Sequence, residues 1–233
     1  ILRMLGLFDR PAEAGAVKSL RGEPAIPGLT DQVVGLDERE WKKHLSRLRR
    51  AGLIARAGPA EPGVIDAHPL VREHFGEKLR REDEAAWRAG HDRLFEYCRG
   101  EGCPQERPDT SPEMAPLYAA VAHGCNAGRY QETLDEVYYS RILRGNEAYN
   151  LRKLGAFGSE LAALSGFFDP PWSTPVAALS DADKAFLLNA AGFHLRALGR
   201  LAEAVEPMEA ALKAAAAQKA WKNAASQTGN LSE

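Results

Sequence analysis

Cysteine is scarce in this 233-residue chain, with Cys98, Cys103 and Cys125 the only three. An odd number at irregular spacing excludes a secreted disulfide framework and a Cys/His zinc site, and points to free thiols in a reducing cytoplasm. Long apolar runs are also missing. None approaches the ~18–20 residues that span a bilayer, and Ile1-Leu2-Arg3-Met4 lacks the layout of a signal peptide, so no membrane partner is expected. No Gly-x-x-x-x-Gly-Lys-Ser/Thr phosphate loop occurs, so this chain alone holds no nucleotide and carries no cofactor of its own. His44, His74, His91, His123 and His194 form no i,i+4 pairs with one another, and no metal site is expected. No Ser/His/Asp or Cys/His set stands out: His123 and Cys125, at i,i+2 on a helix, face apart. The chain therefore reads as lacking a catalytic site.

What is present is enough for a well-filled core: 45% of the residues are hydrophobic, at a length between one and two domains. The formal charge of -2 gives no global pull toward nucleic acid. Residues 1–80 nevertheless hold fourteen basic against eleven acidic side chains, so any cationic surface is local and lies in that part. The chain starts without an initiator Met and stops at Asn230-Leu231-Ser232-Glu233 inside a helix-like pattern, which reads as a piece of something longer.

The first 83 residues read as a winged helix. Ile1–Phe8 looks like the end of a buried helix, and Asp9-Arg10-Pro11-Ala12 breaks the chain before a short helix over Ala12 to Arg21. Asp37, with Glu40 three positions on, has capping-box spacing and starts a third helix buried through Trp41, Leu45 and Leu48. Gly52 ends that helix. Leu53–Arg56 and Val64–Asp66 read as short strands around a Pro/Gly tip at 58–63, the wing. A fourth helix runs from Pro69 to about Arg81, with Leu70, Val71, Phe75 and Leu79 on its inner side. The charged run Arg80-Arg81-Glu82-Asp83-Glu84 marks a boundary.

Residues 84–233 read as helical hairpins. Ala85–Arg99 is an amphipathic helix with Trp87, His91, Leu94, Phe95 and Cys98 inward. Ala122-His123-Gly124-Cys125 through Leu134 recurs 71 positions later as Phe193-His194-Leu195-Arg196 through Val205, two periods of the ~34–37 residues expected of helix-pair repeats. The second copy resembles a tetratricopeptide unit: Gly192 at the close contact, Gly199-Arg200 at the turn, and Ala204, Met208 and Ala211 on the second helix. The unit between, Tyr149–Phe168, is degenerate, and Phe167 to Trp172 reads as an aromatic and proline linker. The Ala-rich run Ala210–Trp221 reads as helix, with Asn223–Glu233 opening a further repeat. Tyr118, Tyr130, Tyr138, Tyr139 and Tyr149, with Phe167, Phe168 and Trp172, read most simply as repeat core, and some of them as lining for a groove. The fold class is thus mainly α, a winged helix followed by an α-solenoid that is incomplete at its C-terminus.

His68 sits where the last strand turns into the fourth helix, with Pro69 at its first position. That puts an imidazole beside amide groups and the positive end of a helix dipole, a place suited to a phosphate, although Pro69 has no N–H to give. Asp66-Ala67-His68-Pro69-Leu70-Val71-Arg72-Glu73 resembles the Met-His-Asp-type motif in the winged helix of STAND signal-transduction ATPases, whose members include apoptosome and plant resistance proteins. The likeness is closer to bacterial members in which Asp-x-His-Pro-Leu-Val-Arg-Glu precedes tetratricopeptide repeats. The resemblance covers essentially the whole chain and implies an upstream ATPase domain that binds ATP or ADP with Mg. It further implies that His68 contacts the β-phosphate of ADP, that the repeats take a protein or peptide ligand, and that the activated protein forms homo-oligomers. Ala67 and Pro69 depart from the eukaryotic motif, replacing its Met and Asp. Two other classes stay open. Lys42, Lys43, Arg47 and Arg50 on the basic third helix suit the major groove of DNA in a transcription regulator, though Glu38, Glu40 and Glu61 favour a solvated or interdomain face. A plain protein-interaction scaffold, in which His68 merely caps a helix, is the third.

Overall fold

The computed structural model describes residues 1–56 and 63–217, and all structural statements below concern these. The chain is mainly helical, as its periodicity predicts. It divides into two compact units: Ile1–Pro104 with Asn126–Gly128, and Gln105–Cys125 with the residues from Arg129 on.

The first unit is built of α1 (Leu2–Leu5), α2 (Ala14–Leu20), α3 (Glu38–Arg50), α4 (Pro69–Glu82) and α5 (Glu84–Arg99). Asp37 starts α3 as its spacing predicts, the carboxylate accepting the Glu40 N–H at 2.8 Å. Trp41 and Leu45 are buried beneath it, and the Arg21 guanidinium lies 4.1 Å over the Trp41 ring. One core joins Met4, Leu20, Ile26, Val33, Trp41, Ile65, Leu79 and Leu94. α5 packs on α2 and α4, so the compact unit runs past the boundary read at 83/84, as far as Pro104. The reason lies in the apolar stripe of α5, Trp87, His91, Leu94, Phe95 and Cys98, all buried as predicted.

No β-strand forms among the described residues, so the strands expected at 53–56 and 64–66 are absent as strands. Only rudiments of a ladder exist. Ala12 and Ile65 exchange both backbone bonds at 2.9 Å as one antiparallel bridge, and the Ala55 N–H donates to the Asp66 carbonyl at 2.8 Å. Isolated pairs of this kind do not propagate because the runs are three to four residues long and the Ala55 carbonyl accepts from Arg49 Nε instead of a neighbouring strand. The wing tip lies outside the described residues apart from Gly63.

Leu70 is a second correction: expected inside, it is 66% exposed. α4 turns Arg72, Gly76 and Leu79 inward, and Leu70 falls on the opposite side of the helix.

The second unit contains α6 (Ser111–Ala127) as far as Cys125, α7 (Tyr130–Glu132) continuing into a π-helix (Thr133–Leu143), then α8 (Tyr149–Arg152), α9 (Phe157–Ser165), α10 (Asp181–Ala197) and α11 (Leu201–Ala217). The 71-residue internal match is visible as geometry. Gly128 and Gly199 both take positive φ, +84° and +75°. The next N–H, of Arg129 or Arg200, reaches back five residues to a helix carbonyl at 2.9 Å in each copy. Each arginine then pairs with the glutamate three residues on at 2.6 Å. Between α10 and α11, Gly192 admits Met208, whose Cγ stands 2.3 Å from where a Cβ would be, and Ala204 and Ala211 are buried as read. The degenerate stretch forms only the short α8 and α9. Phe167 and Phe168, read both as part of a linker and as repeat core, are buried core, and Phe168 bridges to Pro175. The Ala-rich helix is described to Ala217; the further repeat read at 223–233 lies outside the described residues.

Candidate functional site

The corner at which the chain enters α4 is assembled by Arg72. Its guanidinium is buried and donates to Asp66 at 2.8 Å, to the Ala67 carbonyl at 2.8 Å and to the Asp9 carbonyl at 3.2 Å. Those three bonds hold the chain on either side of the Ala12–Ile65 bridge and set the entry into α4. Ala67 is buried beside this frame.

His68 is the N-cap of α4 and is exposed. Its Nδ1 accepts the Leu70 N–H at 3.2 Å, which in a neutral ring leaves the proton on Nε2 as a donor. The α4 amides are otherwise occupied: Pro69 has none, and the Val71 and Arg72 N–H groups donate to the His68 carbonyl at 2.8 and 3.1 Å. The helix end therefore offers an anion its dipole and one imidazole donor, with no open cradle of amides. That narrows the expectation from sequence, in which the amide groups were part of the attraction. Leu70, exposed two residues on, gives the corner an apolar neighbour.

Lys42, Lys43, Arg47 and Arg50 are all exposed, on the side of α3 away from Trp41 and Leu45. Arg47 also lines a cleft of about 700 Å³ with Leu2, Arg3, Leu29, His44 and Phe75. Arg3 in that cleft is committed to Glu82 at 2.7 Å and to the Gly28 carbonyl. The cleft has apolar walls and a partly cationic rim, and His68 is not among the residues that line it. The basic helix and the histidine corner are thus two separate features of the first unit.

A third feature escaped the sequence reading. In the second unit Glu160 of α9 is fully buried and meets Tyr138 of the π-helix, whose hydroxyl donates at 2.6 Å, Tyr118 of α6 at 3.4 Å and His194 of α10 at 3.8 Å. Burial pushes the Glu160 carboxyl up to about 7 and the His194 imidazole down to about 4. The same desolvation, together with the neighbouring carboxylate, raises both tyrosines. Two signals in the sequence mark it: Glu160 is the only charge in Phe157–Ser165, and His194 lies on a helix side otherwise filled by Leu187, Leu188, Ala191 and Leu195.

Among the described residues no three His, Cys, Asp or Glu side chains gather as metal ligands, and no helix is long and apolar enough to cross a membrane. No protein-family model matches the chain, and neither a curated protein nor a solved structure does. The functional reading therefore stands on the chemistry of these features.

Proposed function

We propose that this chain is the regulatory part of a cytoplasmic STAND-type signal-transduction ATPase, a winged helix that relays nucleotide state followed by tetratricopeptide-like repeats that bind a protein or peptide. It has no catalytic role of its own. The observation that carries the reading is the exposed His68 at the N-cap of α4, with Nδ1 engaged and Nε2 free to donate. Supporting it, the order α1, Ala12, α2, α3, Ala55, Ile65–Asp66, α4 follows the order expected of a winged helix, with single backbone pairs where strands are expected. The paired turns at Gly128 and Gly199 support the repeats.

A diphosphate fits this corner as one contact among several. His68 supplies a single donor, Nε2, and a dipole end, so the remaining donors, with the Mg that accompanies ATP or ADP, belong to the ATPase domain upstream. The histidine then acts as a bridge whose contact exists only when the two domains are closed. A ligand on the repeats that favours the open form releases the bridge and permits nucleotide exchange and homo-oligomerisation, since each ligand must prefer a different global state for coupling to exist.

The test is His68→Ala beside His68→Asn in the protein with its ATPase domain. Asparagine keeps a good N-cap, whereas alanine costs about 1 kcal/mol of helix stability. Both variants should lose retained ADP and raise basal activity, and only His68→Ala should lower the stability of the winged helix. Unchanged ADP retention in both would refute the reading. The exposed basic side of α3 favours a second reading, a DNA-binding regulator: duplex binding by the chain whose salt slope falls when Lys42 and Lys43 are replaced would support it.

A further inference from the structure

Glu160 and His194 occupy one buried site at the junction of five helical segments, Glu160 itself on α9. The groups facing Glu160 are the Tyr118 hydroxyl from α6, the Tyr138 hydroxyl from the π-helix, the fully buried Asn150 amide from α8 and the His194 imidazole from α10. His194 is also flanked edge-on by the Phe157 and Phe193 rings, centroids 5.9 and 5.4 Å away. Placing a full ion pair in such surroundings removes two charges from water, and a 3.8 Å separation is too long for the charge-assisted bond that repays this.

We propose that Glu160 and His194 are folded into the second unit as two neutral groups, folding itself moving one proton from the imidazole to the carboxyl, and that this exchange cancels the pH dependence that either buried group alone would give the unit's stability. In the unfolded chain, at about pH 5.5, the carboxylate is ionised and the imidazole protonated. In the folded chain the carboxyl holds the proton and the imidazole is neutral. The proton count is the same in both states, so the pair contributes no pH slope between the ordinary values of the two groups.

Each half of the pair alone has a slope. Glu160, raised in the fold, gives stability that is complete below about 4.5 and is lost as pH rises to about 7. His194, lowered in the fold, gives stability that is complete above about 6.5 and is lost as pH falls to about 4. The two windows overlap over about two pH units, and there the slopes cancel.

The test is the folding constant of the full chain as a function of pH, measured by denaturant unfolding for wild type, Glu160→Gln and His194→Gln. Relative to wild type between about pH 4.5 and 6.5, the Glu160→Gln constant should rise with pH and the His194→Gln constant should fall, each by up to about tenfold per pH unit. Parallel profiles for all three would overturn the proposal. A second measurement uses wild type alone. At about pH 5.5 the infrared spectrum in D2O should show a protonated buried carboxyl, and His194 should give the ring nitrogen shifts of a neutral imidazole. An imidazolium signal beside an ionised carboxylate would establish an ion pair and overturn the proposal even if neither variant folds.

Discussion

Gly6 and Gly76 meet backbone to backbone: a Cβ on Gly6 would stand 2.3 Å from the Gly76 amide nitrogen, and one on Gly76 would stand 2.4 Å from the Gly6 carbonyl oxygen. The contact lets the single turn of α1 lie directly on α4, and it explains a glycine inside a helix that otherwise favours any other residue. Gly76→Ala gains about 1 kcal/mol of helix propensity and must separate two backbones to fit its methyl group. Because neither neighbour is a flexible side chain, the second effect wins. A net loss of about 2 kcal/mol is expected in urea unfolding. A neutral or stabilising Gly76→Ala would show that α1 does not rest on α4.

Arg72 is the side chain on which the His68 corner depends. Removing it takes a donor from the buried Ala67 carbonyl and from the Asp9 carbonyl and leaves Asp66 without its Arg72 partner, whereas Asp66, 49% exposed, can return to water. Arg72→Met should therefore cost about 3–5 kcal/mol and Asp66→Asn about 1 kcal/mol or less, an asymmetry set by burial. Denaturant unfolding of the two variants tests it. Equal losses would mean that the ion pair, and not the two carbonyls, fixes the corner.

Where the sequence was informative, a local rule and the tertiary need coincided. Asp37 followed by Glu40 marks a helix start wherever it lies, and Gly199-Arg200 closes a hairpin through its own φ and a bond five residues back. Leu70 was misplaced because hydrophobic spacing assigns the inner side of a helix to leucine, while this helix spends its inner side on the carbonyls bound by Arg72 and on the contact of Gly76 with Gly6. The strands failed for a related reason: a Pro/Gly tip between short runs predicts a hairpin, and a ladder also needs consecutive partners, which Ala55 and Ile65 find on different segments. The π-helix over Thr133–Leu143 has no sequence rule at all, since one extra residue per turn is stabilised by packing around Tyr138 and Ile142. His68 was legible as a cap. Its engaged amides were not, because they depend on which carbonyl each N–H finds.

The three thiols should be protected by the fold rather than by disulfides. Cys98, Cys103 and Cys125 are all free and buried. Burial, with Glu13 nearby, pushes the Cys98 thiol up to about 12, and burial alone pushes Cys125 up as well, so at neutral pH almost no thiolate is present to react. Cys125 is closed in further by Gly166 just after α9, where a Cβ would stand 3.1 Å from the sulfur. Any adduct on that sulfur therefore requires α6 to part from the end of α9, an opening of the same elements that hold Tyr118 and Glu160. Reaction with a chromogenic disulfide reagent should be at least about 100-fold slower in native buffer than in denaturant, with a native rate that tracks opening of the fold. Cys125 modified at equal speed in both conditions would mean that this part of the second unit is open in solution, and the neutral pair beneath it would then have no dry site to occupy.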